Sequence, residues 1–98
     1  MNLTTLARDQ SCTIRLPGCT GGGEDTVLAH YRSIRFGAGV GRKPPDWIGA
    51  YSCAHCHDVV DARVFAHDYS RDRVRLAHAE GVIESIGRLI AAGRLVFK

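Results

Sequence analysis

Long apolar runs are missing from this 98-residue chain. None approaches the ~18 residues that a membrane-spanning helix needs, so a membrane protein is not expected. The opening residues Met1-Asn2-Leu3-Thr4-Thr5 have neither the basic nor the apolar region of a secretory signal, so a cytoplasmic location is expected. The triple glycine Gly21-Gly22-Gly23 lacks the Lys-Ser/Thr end of a phosphate-binding P-loop and has no strand-then-helix context. No basic patch is interleaved with aromatics in the way that suggests stacking of single strands. Internal repeats, low-complexity tracts and a Met-rich or aromatic cofactor box are also absent. Neither sign of charge dominates: 13 Lys and Arg against 10 Asp and Glu give +3, which permits a nucleic-acid partner without requiring one.

What the chain does have is four cysteines, Cys12, Cys19, Cys53 and Cys56. The second pair has C-x2-C spacing, from which two thiolates can grip one Zn2+ at a tight turn. In a chain without a secretory signal, metal binding is expected over two disulfides. The C-x6-C half is wider than the common knuckle, so two readings stand. Either all four cysteines close one tetrahedral zinc site, or Cys12 and Cys19 are ordinary buried thiols. A domain this short buries a modest fraction of its surface, so a metal staple would matter to its stability.

One domain is expected over residues 1–98. Leu3, Leu6 and Ala7 suit a short helical turn or an extended lead-in. Thr13 to Leu16 is strand-like and runs into the turn signal Pro17-Gly18. Thr26 to Tyr31 is a second, β-branched and aromatic strand with His30 near its end. Residues 32–46 are a Gly-rich loop of fifteen residues carrying Arg32, Arg35, Arg42 and Lys43. A loop that long in a small domain is usually functional or mobile. Trp47 to Tyr51 leads into the knuckle, and residues 54–64 read as a short helix. His67-Asp68-Tyr69-Ser70 is a break with capping residues. A long helix follows from about Arg71 to Ala92, with Ala79, Val82, Ile83, Ile86, Leu89 and Ile90 as its apolar stripe. Gly93 is the expected C-cap, and Leu95-Val96-Phe97 suits a last strand.

Beside the cysteines stands a second constellation: His30, Asp46, His57 and Asp61. A helix starting at the knuckle puts His57 and Asp61 on one face, four residues apart. Strand, loop, strand and helix, with histidines on a strand and on the helix, is a ββα arrangement that could hold a divalent metal at the helix while His30 activates water. Taken alone, a histidine at a strand end is more often structural. Arg32, Arg35, Arg42 and Lys43 are the candidates for phosphate contact, against the plainer alternative of a solvated loop. Arg71, Arg73 and Arg75 read as a solvated helix face, His55 as exposed on the knuckle, and His78 as structural.

Leu28-Ala29-His30, Lys43-Pro44-Pro45-Asp46 and Cys53-Ala54-His55-Cys56-His57-Asp58-Val59-Val60-Asp61 together resemble the HNH (His-Me finger) nucleases. More closely the chain resembles the small phage and prophage nucleases of the YbcO type, with the RecA-dependent Ref nuclease a more distant relative. The resemblance implies an α+β fold: a ββα-metal unit over about residues 26–64, a structural four-cysteine zinc beside it, and a C-terminal helix over about residues 70–92. It implies DNA cleavage that needs Mg2+ or another divalent metal, a role in phage or prophage recombination or DNA processing, and a recombination protein as partner. His30 then matches the general base, Asp46 the residue that orients it, and His57 a ligand of the catalytic metal. Many HNH enzymes carry Asp before the first His; this chain has Ala29, and Asp61 or Asp58 is the expected substitute. The alternative is a catalytically inactive zinc-knuckle module that binds nucleic acid or protein.

Overall fold

The computed structural model describes residues 3–62 and 70–95. In chain order these form α1 (Leu3–Leu6), β1 (Val27–His30), a 3-10 turn (Ile34–Phe36), β2 (Gly49–Ser52), α2 (Ala54–Val60) and α3 (Arg71–Ala91). The two strands pair antiparallel in the register Val27↔Ser52, Leu28↔Tyr51, Ala29↔Ala50 and His30↔Gly49. The fold is thus a small α+β one, a two-stranded sheet followed by a short helix and a long one.

Alternation along the strands sends Leu28 and Tyr51 to one face of the sheet and Ala29 and Ala50 to the other. The first face packs with Ala7 and Leu89, joined by Leu3, Leu6 and Leu95. The second packs with Ile14, Leu16, Val59, Val74 and Val82, and three of the cysteines lie inside that cluster. All four β2 residues are buried. Among the described residues the outer edge of β2 is covered by Thr13 and Ser85 rather than by a third strand. The Tyr51 N–H donates to Ser85 Oγ at 3.0 Å, and its carbonyl accepts from the Thr13 N–H at 2.8 Å and from Thr13 Oγ1 at 2.9 Å. Ser85 Oγ donates back to the Gly81 carbonyl at 2.8 Å, so one buried hydroxyl ties α3 to the sheet. Gly81 allows that approach: a Cβ there would lie 2.9 Å from Thr13 Oγ1 and 3.2 Å from both Ala50 Cβ and Ile14 Cγ1.

Two sequence expectations are corrected. Thr13–Leu16 is not a strand. Thr13 makes its contact with Tyr51, but Arg15 takes a left-handed φ of 56° and turns the chain back toward Cys19. The Arg15 guanidinium then grips Glu84 of α3 with two bonds of 2.7 and 2.6 Å, and Arg88 shares that carboxylate at 2.6 Å. The apolar stripe of α3 is also rotated. Its buried residues are Val74, His78, Gly81, Val82, Ser85 and Leu89, while Ile83 is 70% exposed. Small and hydrogen-bonding residues, rather than the bulkiest ones, face the sheet because the contact is close and must satisfy strand-edge polar groups.

α2 is shorter than the 54–64 expected. It stops at Val60, Ala62 has a left-handed φ of 58°, and Arg71 donates to the carbonyls of Val59 at 2.9 Å and Val60 at 3.0 Å. Arg71, exposed as expected, is therefore also a cap on α2. Ser70 caps α3 by accepting from the Arg73 N–H. Gly93, with φ of 74°, ends α3 in a Schellman turn: its N–H reaches the Ile90 carbonyl at 3.0 Å, and the Arg94 N–H reaches Leu89 at 2.8 Å. His67 and the end of the expected last strand, Val96-Phe97, lie outside the described residues. None of the described helices is long and apolar enough to cross a membrane.

Candidate metal centre and His–Asp cleft

β2 runs directly into the knuckle. Cys53 follows Ser52, and its sulfur caps α2 by accepting the Cys56 N–H at 3.4 Å. The turn around Cys19 is held by its N–H to the Leu16 carbonyl at 2.9 Å, and its sulfur accepts from the Gly21 N–H at 3.3 Å. The ligand atoms of Cys12, Cys19, Cys53 and Cys56 all lie within 4.8 Å of one another. The four are free thiols. A tetrahedron of Zn–S bonds of ~2.3 Å has sulfurs ~3.8 Å apart, whereas a disulfide needs ~2.05 Å. The Cys19 and Cys53 sulfurs are 3.7 Å apart, so the donor set fits a metal ion such as zinc. The contact between Cys12 and Cys56 pulls the first thiol below the ordinary range and pushes the second above it. This answers the open question about Cys12 and Cys19, which lie with the other pair. His55 is half-buried against this turn, with Nε2 2.9 Å from the Pro17 carbonyl and its ring over Gly18.

His30 is the last residue of β1, and Asp46 stands in the turn that opens β2, closed by the Ile48 N–H to Pro45 carbonyl bond of 2.9 Å. Register brings them together: His30 Nε2 lies 2.8 Å from Asp46 Oδ1, and Lys43 Nζ lies 3.8 Å from the same oxygen. The His30 bond, with a smaller contribution from Lys43, holds the Asp46 carboxyl below the ordinary carboxylate range. An ionised carboxylate only accepts, so Nε2–H donates, and in the neutral ring Nδ1 carries the lone pair. On α2, His57 Nε2 and Asp61 Oδ2 are 3.2 Å apart, the i,i+4 pairing expected from spacing.

A cleft of about 620 Å³ opens over His30, lined also by Asp61, Arg32, Arg71, Arg75 and His78. His57 is not among the lining residues and meets the cleft through Asp61. Among the described residues the four cysteines are the only group of three or more ligand side chains close enough to share an ion. Of the loop cations, Arg32 lines the cleft, Lys43 faces Asp46, Arg35 sits in the 3-10 turn over a neighbouring groove, and Arg42 closes a tight turn with Gly39.

Three residues near the cleft carry more than their sequence reading. Arg71 caps α2 and lines the cleft. Arg75 lies 5.8 Å from the Tyr31 ring centroid. His78 is buried, stacks edge-on with Tyr31 at 5.1 Å, and places Nε2 2.8 Å from the Ala29 carbonyl, one residue before His30. Burial pushes the His78 imidazole below its ordinary pKa, so the neutral ring donates to that carbonyl. The i, i+3 and i+4 spacing of Val74, His78, Gly81 and Ser85 was the available signal for that face, masked by the heavier isoleucines on its flank.

These features define a class: a small α+β protein with a four-cysteine cluster able to hold a metal ion and a His–carboxylate cleft ringed by arginines. Residues 1–94 match the family described as "Putative nuclease YbcO", and the chain belongs to that family. It is 44% identical over 63 residues to "Putative nuclease YbcO" of Escherichia coli K12 and to its namesake in Enterobacteria phage 82. Those alignments span 63% of this chain and 65% of each relative, just under two thirds of their length. The solved structure of "a putative bacteriophage protein from Escherichia coli str. K-12 substr. MG1655" has TM-score 0.74 and 31% identity, covering 92% of this chain and 98% of that one.

Proposed function

We propose that this chain is a metal-dependent DNA endonuclease of the HNH (His-Me finger) type, acting in the cytoplasm in phage or prophage recombination or DNA processing, with a recombination protein as partner. The observation that carries the reading is the His30–Asp46 pair at 2.8 Å, opening on a cleft lined by Asp61 and three arginines. The family's name as a nuclease supports it, and the β-β-α order around the pair is the arrangement a ββα-metal unit requires.

In this mechanism Asp46 fixes the tautomer of His30 and stabilises the imidazolium. His30 Nδ1 takes a proton from water, the resulting hydroxide attacks the phosphorus of a phosphodiester, and the P–O bond to the leaving sugar breaks. A proton from solvent completes the leaving hydroxyl. His57 and Asp61 would hold the divalent metal, Mg2+ or another, whose charge offsets the leaving oxygen. Arg32 with Arg71 and Arg75 neutralise the phosphates on either side, and Arg35, Arg42 and Lys43 extend the contact along the backbone. A zinc held by the four cysteines would be structural: Cys53 would ligate it while capping the helix that carries His57.

The test is nicking of supercoiled plasmid with Mg2+ or Mn2+ added in turn. A positioned general base is worth ~10²–10⁴-fold, so His30→Ala should lose at least that much while keeping its zinc and its DNA affinity. His57→Ala should lose metal-dependent nicking with the zinc unchanged. Native-like nicking by His30→Ala would refute the assignment. One observation favours a second reading, a binding module without catalysis: the position before His30 is Ala29, buried and without a carboxylate. That module would bind DNA with every metal and nick with none.

A further inference from the structure

Beside the cleft lies a second groove of about 470 Å³, within the ~300–1,000 Å³ range of small-ligand sites. No single sequence segment announces it. Tyr31 follows directly after β1, Arg35 and Phe36 come from the 3-10 turn, Trp47 from the turn before β2, and Arg75 and Ile83 from α3. Phe36 is 40% exposed and Trp47 49%, although both are large aromatics that ordinarily bury most of their surface. Tyr31 meets Phe36 edge-on at 6.3 Å, which props the Phe36 ring in the groove wall. The rotated face of α3 supplies the floor, with Ala79, Val82 and Ile86.

Two facts say what covers this surface. Tyr31 and Arg75 line both the groove and the cleft, so the two hollows adjoin. The groove's flanks carry Arg35 and Arg75, and no acidic residue lines it among the described residues. An apolar partner helix would be served by the floor alone. Aromatic walls with flanking guanidinium groups suit a flat π-system attached to anions, and that describes a base still joined to its phosphates. A base inside a duplex hides both faces in the stack, so only an unpaired one can enter.

We propose that this groove is a stacking subsite for an unpaired nucleobase next to the phosphate held in the cleft, so that the preferred substrate is single-stranded DNA or a junction with unpaired bases. This rests on the nuclease reading for the identity of the cleft's ligand, and a binding measurement tests it separately from cleavage. Trp47 is the only tryptophan in the chain, so its fluorescence reports on the groove directly. The zinc-loaded protein, with no Mg2+ added, is titrated with a single-stranded oligonucleotide and with a fully paired duplex of the same length. Affinities are read in parallel by anisotropy of the labelled DNA.

The single strand should quench Trp47 at saturation, and the paired duplex should bind without doing so. Phe36→Leu keeps apolar bulk but removes the π-face. It should weaken single-strand binding by ~5- to 160-fold, as loss of one stacked base does, with duplex affinity unchanged. Equal quenching by both DNAs, or native single-strand affinity in Phe36→Leu, would overturn the subsite. Absence of quenching by either DNA would do the same and leave the groove as a protein-docking face. Plasmid nicking by the native protein keeps the two proposals apart. Nicking with no stacking signal leaves the nuclease standing and removes the subsite; stacking without nicking does the reverse.

Discussion

The same substitution, glycine to alanine, should have opposite effects at two positions on α3. Gly81 and Gly87 both sit inside the helix, where alanine is favoured by ~0.8–1.0 kcal/mol on intrinsic propensity. At Gly87 a Cβ meets nothing within 4 Å, so the full preference should appear. For a domain of this size each kcal/mol moves the melting temperature by ~4–8 °C, and Gly87→Ala should melt higher by about that amount. At Gly81 a Cβ would lie 2.9 Å from Thr13 Oγ1 and 3.2 Å from Ala50 Cβ and Ile14 Cγ1. None of these is the loose end of a flexible side chain: Thr13 Oγ1 is held by the Tyr51 carbonyl and Ser85. Overpacking of this kind costs about 1–3 kcal/mol, which cancels or exceeds the propensity gain. Gly81→Ala should therefore melt at or below the native protein and well below Gly87→Ala. Thermal unfolding at fixed zinc concentration measures both, since bound metal shifts the midpoint. A Gly81→Ala protein as stable as Gly87→Ala would show that α3 does not approach the sheet as described.

Ser85→Ala should destabilise by ~1–3 kcal/mol in a denaturant melt, because the Tyr51 N–H is left buried without its acceptor; an unchanged midpoint would mean that the N–H finds another. His78 has a folded pKa below its ordinary value, so on acidification the unfolded chain takes up the proton first. Its contribution is present above the ordinary histidine value and lost as pH falls toward the folded one. His78→Gln, which keeps a donor for Ala29, should show a shallower fall in stability than the native protein as pH drops through and below the ordinary histidine value. Removing the knuckle metal with a strong chelator should release one zinc per chain and lower the melting temperature sharply, as binding to the folded state alone implies; a chain that melts identically with and without metal would refute a structural role.

Much of this was legible in the sequence because local chemistry decided it. Cys53-x2-Cys56 signals a knuckle whatever surrounds it, and β-branched residues before His30 signal a strand. The i,i+4 spacing of His57 and Asp61 makes them meet on any helix. The proximity of His30 and Asp46 follows once the two strands pair, since the turn before β2 then sits at the end of β1. The misreadings came where distant parts of the chain decided the outcome. Thr13–Leu16 has strand composition, but the demand that the Cys12 and Cys19 sulfurs converge bends it at Arg15. The bulk of Ile83 and Ile90 suggested a core face, while the sheet edge called for a glycine, a serine and a histidine. Likewise, Phe36, Trp47 and Arg75 are far apart in the chain, so their aromatic and basic groove had no linear pattern to betray it.

The sulfur of Cys53 has a consequence for how this fold can drift over evolutionary time. Structural zinc sites accept histidine in place of one cysteine. At position 19, half-exposed on a glycine-rich turn, such an exchange would cost one turn contact, the bond from the Gly21 N–H to the sulfur. At position 53 it would also remove the acceptor that starts α2, and with it the bearing of the helix that carries His57 and Asp61. Lineages should therefore experiment with Cys19 and leave Cys53 alone, so the tempo of change at these two positions would differ although both belong to the same four-sulfur cluster.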